Sequence, residues 1–217
     1  MMGYVNVFDS YGRWRFYQGD SVAFSFEERL RYFGHLINRS IAAYKADSRA
    51  KLHFIQIHLT KHFSGAERQA LASAVRAIEP EAVITFVWIN PHHNLRLYNL
   101  STGSDGQIHR ALYLENDTNR VYLTTTGSNE FQQPGMGTPI PLQLTIWADP
   151  ADTTISLRDV SQQILSLTRL NWGSSRNFCQ EPITTKFAGD IARLMNRFLE
   201  DPSFSVNTAL RGVPWFL

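Results

Sequence analysis

The residues best suited to chemistry gather late in the chain. Arg169, Asn171, Ser174, Ser175 and Arg176 lie close together and offer guanidinium, amide and hydroxyl donors. Donors of this kind suit phosphate oxygens, which accept hydrogen bonds without regard to base identity. Lys186 follows where a helix is expected to begin, and the first backbone amides of a helix also favour anions. The same residues would serve equally well as a solvated loop with a helix cap. Basic residues concentrate in this part of the chain, at Arg158, Arg169, Arg176, Lys186, Arg193, Arg197 and Arg211. The net charge of +2 means that any phosphate contact must come from such a cluster and not from the whole surface.

Other candidates carry less chemistry. Cys179 is the single cysteine, which excludes an internal disulfide and a multi-cysteine zinc site and fits a reducing cytoplasm. His58, His62, His92 and His93 match no standard zinc spacing and read as surface or core histidines. Glu27 and Glu28 read as capping residues. No apolar run reaches the ~20 residues that a membrane span needs. The start, MMGYVNVFDSYGRW, lacks a basic stretch followed by an apolar one, so no signal peptide is expected.

The elements that must position these residues alternate between strand and helix. Tyr4–Asp9 and Arg13–Gln18 are aromatic and β-branched runs joined by Ser-Tyr-Gly, a hairpin signal. Ser25 and Glu28 form a capping box for a helix expected to run to Ala46, with Leu30, Phe33, Leu36, Ile37, Ile41 and Tyr44 on one stripe. Leu52–Leu59 is a predicted strand. Ser64 and Glu67 form a second capping box, opening a helix that ends before Pro80. Ala82–Ile89 is almost continuously apolar, as in a strand covered on both faces. Asn94–Asn99, Ala111–Glu115, Arg120–Thr126 and Pro141–Ala148 are further predicted strands, with a turn at 116–119 and a Gly, Gln and Pro-rich loop from Gly127 to Thr138. Ser156 caps a helix to Arg169, a polar loop spans Asn171–Glu181, and a last helix covers Thr185–Leu199. Strand–helix–strand with short connections predicts a mixed α/β sheet.

Three late segments resemble the Piwi domain of prokaryotic Argonautes. They are Gly137-Thr-Pro-Ile-Pro-Leu142, then Leu167-Thr-Arg-Leu-Asn-Trp172 followed by Pro182-Ile-Thr184, and the terminal Pro214-Trp-Phe-Leu217. Weaker matches at Ile57–Lys61 with Glu67, at Thr85–Asn90 and at Asn94–Tyr98 extend the likeness over nearly the whole chain. The resemblance implies a ribonuclease-H-like fold, a mixed sheet flanked by helices, in one domain covering 1–217. Such a domain usually has an earlier strand bearing its first catalytic aspartate, preceded by a Mid domain; neither has a counterpart here.

The resemblance further implies guide-directed nucleic-acid binding without cutting. The family's hydrolysis uses clustered carboxylates that hold two divalent ions. The second aspartate position of the family falls on Thr60 and the last ligand position on Gly189, so an inactive site is expected. Asp190 is one residue further and turned by about 100° on a helix. Arg169, Asn171, Ser174, Ser175 and Arg176 would lie along the guide backbone, with Lys186 beside them. The carboxylate of Leu217 would help hold a structural Mg²⁺ at the guide 5′ phosphate, or the apolar tail would serve stability alone. Implied partners are guide and target strands, a chain carrying the Mid half, and an effector subunit. Two other functions are compatible with the residues: a metal-dependent nuclease whose carboxylates come from a partner chain, and a scaffold that docks an effector.

Overall fold

The structure is a computed structural model. It describes residues 4–19, 25, 27–48, 51–101, 108–127, 139–150, 153–173, 179–198, 212–214 and 216. The order of elements is β1 (Tyr4–Phe8), β2 (Trp14–Gly19), α1 (Arg29–Ser48), β3 (Phe54–Leu59), α2 (Gly65–Arg76), β4 (Val83–Asn90), β5 (Tyr113–Asp117), β6 (Arg120–Leu123), β7 (Leu142–Asp149), α3 (Leu157–Leu167) and α4 (Ile183–Phe198). β1 and β2 form a two-stranded sheet, and the other strands form a five-stranded mixed sheet in the order β3-β4-β7-β6-β5. The predicted α/β class is therefore present. The residues 128–138, which include Gly137 and Thr138, lie outside the described set.

Local sequence accounts for most element boundaries. The β1–β2 turn is organised by Asp9, whose Oδ1 accepts from the amides of Tyr11 and Arg13, both at 3.0 Å. Gly12 there takes φ 74°, a left-handed conformation that glycine adopts without steric cost. Both capping boxes are made. The Glu28 amide donates to Ser25 Oγ at 3.3 Å while the Ser25 amide donates to Glu28 Oε2 at 3.1 Å. The second box repeats this with Ser64 and Glu67, at 3.3 and 2.7 Å. Ser156 caps α3 through the Asp159 amide at 3.1 Å.

The chain forms two compact units. Unit 1 comprises Met1–Gln56, Phe63–Thr85 and Thr184–Leu217; unit 2 comprises Ile57–His62 and Phe86–Ile183. The unit 1 core holds Tyr17, Ile191 and Met195, with Tyr4, Trp14 and Phe216 packed against them. Unit 2 has an aliphatic core. Register pairs Val121 with Leu144 and Leu123 with Leu142, so these four share one sheet face. They pack with Val87, Ile89 and Ile146 against Val160 and Ile164 of α3. Each such side chain contributes about 1.5–3 kcal/mol by leaving water, and the summed burial holds α3 on the sheet.

One predicted strand is overturned. Asn94–Asn99 belongs to a stretch, Pro91–Leu100, whose residues alternate half-buried and exposed, yet it joins neither sheet. The alternation is that of a strand; the ladder partner is missing among the described residues. A smaller change concerns α4, which starts at Ile183 and not Thr185, so Lys186 is its fourth residue and not its second.

Candidate nucleic-acid interface

The loop expected to carry phosphate donors starts at the end of α3, and both of its ends are held. Thr168 closes α3, and its carbonyl accepts from the Cys179 amide at 2.9 Å, tying the far end of the loop to the near one. Thr125 Oγ1 donates to Gln180 O at 2.6 Å, and Cys179 Sγ donates to Glu181 O at 2.7 Å. Arg169, Asn171 and Trp172 stand just beyond this neck. Ser174, Ser175 and Arg176 lie outside the described residues.

Arg110 braces the neck. Its Nε donates to Thr125 O at 2.8 Å, and its Nη2 donates to Leu165 O at 3.0 Å and to Thr168 Oγ1 at 2.6 Å. Thr168 Oγ1 in turn donates to Leu165 O at 2.7 Å. The Arg110 backbone runs so close to Gly127 that a Cβ there would come within 2.6 Å of the Arg110 nitrogen, which only glycine allows. Burial, and then the neighbouring charge of Arg169, hold the Arg110 guanidinium below its usual pKa. It remains protonated at neutral pH, because arginine starts so far above it.

Two like charges thus sit together at the loop neck. Arg169 is exposed, and among the described residues neither arginine meets a carboxylate. Asn171 is 8 % exposed, and its Oδ1 is buried with no hydrogen-bond partner. Trp172, three residues beyond Arg169 in the chain, is half exposed. Reading the sequence missed Arg110 and gave Trp172 no role of its own. Arg110 stands in no charge run, and only the fold brings it to Thr168.

The remaining sequence-derived site residues lie in unit 1. Lys186 donates to Asp190 Oδ2 at 2.6 Å, and Asp190 also accepts from Arg193. Its ammonium is therefore already partnered. Leu217 and Trp215 lie outside the described residues, but Phe216 packs edge-to-face on Phe187, Trp14 and Tyr17, with ring centroids 5.4, 6.2 and 6.5 Å away. Phe216 is thereby held against the unit 1 core.

The histidines serve separate ends. His58 has its Nε2 buried although the residue keeps some exposed surface, and burial pushes its pKa down to about 4. His62 is exposed and rests edgewise on Trp88 and Trp147, at 5.0 and 5.9 Å. His93 Nδ1 accepts from the Leu95 amide at 3.2 Å, which assigns the proton to Nε2, 2.7 Å from Pro141 O. Among the described residues no three His, Cys, Asp or Glu side chains gather as metal ligands do. Thr60 is exposed just after β3, and a Cβ on Gly189 would meet nothing within 4 Å. No described helix is long and apolar enough to cross a membrane.

Comparison with models of known protein families finds no match for this chain, and comparison with curated proteins finds none either.

Proposed function

We propose that the chain is a catalytically silent, Piwi-like module that grips the sugar-phosphate backbone of a guide–target duplex. The observation that supports this is the treatment of arginine in unit 2. Among the described residues Arg96, Arg110, Arg120, Arg158 and Arg169 form no ion pair with a carboxylate. Cations left without protein counterions release solution ions when they meet phosphates, and that release drives sequence-independent binding.

Within the loop the two arginines divide the work. Arg110 spends three donor contacts on the protein and stands as a fixed positive charge. Arg169 keeps its guanidinium for a phosphate, which it can hold through two parallel hydrogen bonds. Trp172 offers a face for a sugar or an unstacked base. Base pairing between guide and target carries the sequence reading, so the protein needs only backbone shape and charge. At the other end of the chain, the Leu217 carboxylate together with the guide 5′ phosphate would hold a Mg²⁺. The ion would offset the repulsion between those two anions. The substitution of Thr60 and Gly189 at carboxylate positions supports binding without hydrolysis.

The test is guide binding by the full chain, followed by fluorescence anisotropy across a salt series. Arg169→Ala and Arg176→Ala should each weaken all guide sequences alike and reduce the slope of log affinity against log salt by about 1. Magnesium or manganese with a complementary target should give no cleavage. A sequence-selective loss, an unchanged slope, or target cleavage would overturn the reading.

A further inference from the structure

The residues of Asn94–Leu100 alternate exposed and half-buried, as a strand's do, and the stretch joins neither sheet among the described residues. The amides of His92, Leu95 and Ser101 are taken by side chains, Asn90 Oδ1, His93 Nδ1 and Asn99 Oδ1, at 3.0, 3.2 and 3.0 Å. The amides of Asn94, Arg96, Leu97, Tyr98, Asn99 and Leu100 have no hydrogen-bond partner among the described residues. Backbone donors are nearly always paired in a folded chain, through protein or water. A row of them on a segment with a strand's alternation is a template for another strand.

The surroundings define what would bind. Tyr98, Leu100, Ile108 and Leu112 line a groove of about 600 Å³. Tyr98 is 58 % and Leu100 92 % exposed, a large apolar area for water to cover. The only fixed charge on the segment is Arg96, which is exposed and whose Nη1 reaches no carboxylate, only the carbonyls of Leu95 and His93. No aspartate or glutamate occurs between Ala82 and Ser104. A second copy of the segment would set Arg96 near its own image, and a nucleic acid would leave the leucines against water.

We propose that Asn94–Leu100 pairs with an extended segment of a partner protein in which acidic and apolar residues alternate. The partner's backbone completes the ladder, one apolar side chain enters the groove, and a carboxylate meets Arg96. This is strand addition to an exposed template, where main-chain bonds give affinity and alternate side chains give specificity. Arg110 also lines the groove, so the surface borders the neck of the phosphate-binding loop, while Arg169 and Asn171 take no part in the lining.

Amide hydrogen exchange on the full chain tests it, with a synthetic acetyl-(Glu-Val)₄-amide peptide at millimolar concentration as the probe. The peptide should slow exchange over Asn94–Leu100 by about tenfold or more, and Arg96→Glu should cut that protection about tenfold, since it replaces attraction by like-charge repulsion. Arg96 is exposed, so this variant keeps the fold. Tyr98→Pro removes one donor from the ladder and should also abolish protection. Arg169→Ala should leave protection unchanged, which separates this surface from guide binding. The proposal fails if the peptide gives no protection or if a (Lys-Val)₄ peptide protects equally. It also fails if a single-stranded oligonucleotide protects the segment instead, or if protection grows with protein concentration alone.

Discussion

The two units use their charges in opposite ways. In unit 1 basic side chains are spent on carboxylates: Arg15 on Asp47, Arg29 on Glu67, Lys45 on Glu79, Lys51 on Glu81, and Lys186 with Arg193 on Asp190. These ion pairs, and those of Arg13 with Asp9 and of Arg31 with Glu28, all lie in unit 1. The described arginines of unit 2 have no such partners, and Arg110 is fixed by neutral carbonyl and hydroxyl oxygens instead. A cation already neutralised by the protein helps hold the fold. One held by neutral acceptors keeps its full charge for a ligand. The cores differ in the same sense, aromatic rings packed edge-on in unit 1 and interlocked aliphatic side chains in unit 2.

The largest test of this contrast is acid. Unit 2 buries a neutral imidazole, His58, whose pKa falls from 6.5 to about 4. The unfolded chain binds this proton more readily than the folded one. The stabilising contribution is therefore complete above pH 6.5 and is lost as pH falls toward 4, by about 3 kcal/mol. Urea unfolding from pH 7 to 4 should show the decline, and His58→Gln should flatten it. A wild-type profile level across that range would mean that the imidazole is solvated.

Arg110→Ala comes next. It strips donors from Thr125 O, Leu165 O and Thr168 Oγ1 and should cost about 2 kcal/mol, read by urea denaturation at pH 7. The loss should persist in high salt, because neutral oxygens and not carboxylates hold the guanidinium. A loss that salt abolishes would make unit 2 electrostatically like unit 1.

The smallest effect belongs to Lys186→Met. A partly exposed i, i+4 pair contributes little, so thermal unfolding should shift by less than about 1 kcal/mol. Guide affinity should fall less than with Arg169→Ala, because Asp190 already occupies the ammonium. An equal or larger fall would move Lys186 among the phosphate contacts and blur the division between the units.

Much of the architecture could be read locally. The serine caps at Ser25, Ser64 and Ser156 each act within three residues, so side-chain chemistry and spacing suffice. Ala82–Ile89 carries enough β-branched and aromatic side chains to be a strand in any setting. Asn94–Asn99 shows the limit of such reading. It has a strand's two-residue alternation, but a strand exists only when another lies beside it, and that depends on distant chain. Arg169 and Asn171 were visible as donors in a polar loop, whereas the importance of Arg110 was not.

The amino-acid order by itself determined the helices, the hairpin turn at Asp9–Gly12, the single cysteine and the donor-rich loop, because each depends on neighbours a few residues apart. Tertiary structure decided the strand order β3-β4-β7-β6-β5, the meeting of Arg110 with Arg169, and which cations find carboxylates. These depend on burying one apolar face against another, and only the whole chain's packing decides which faces meet.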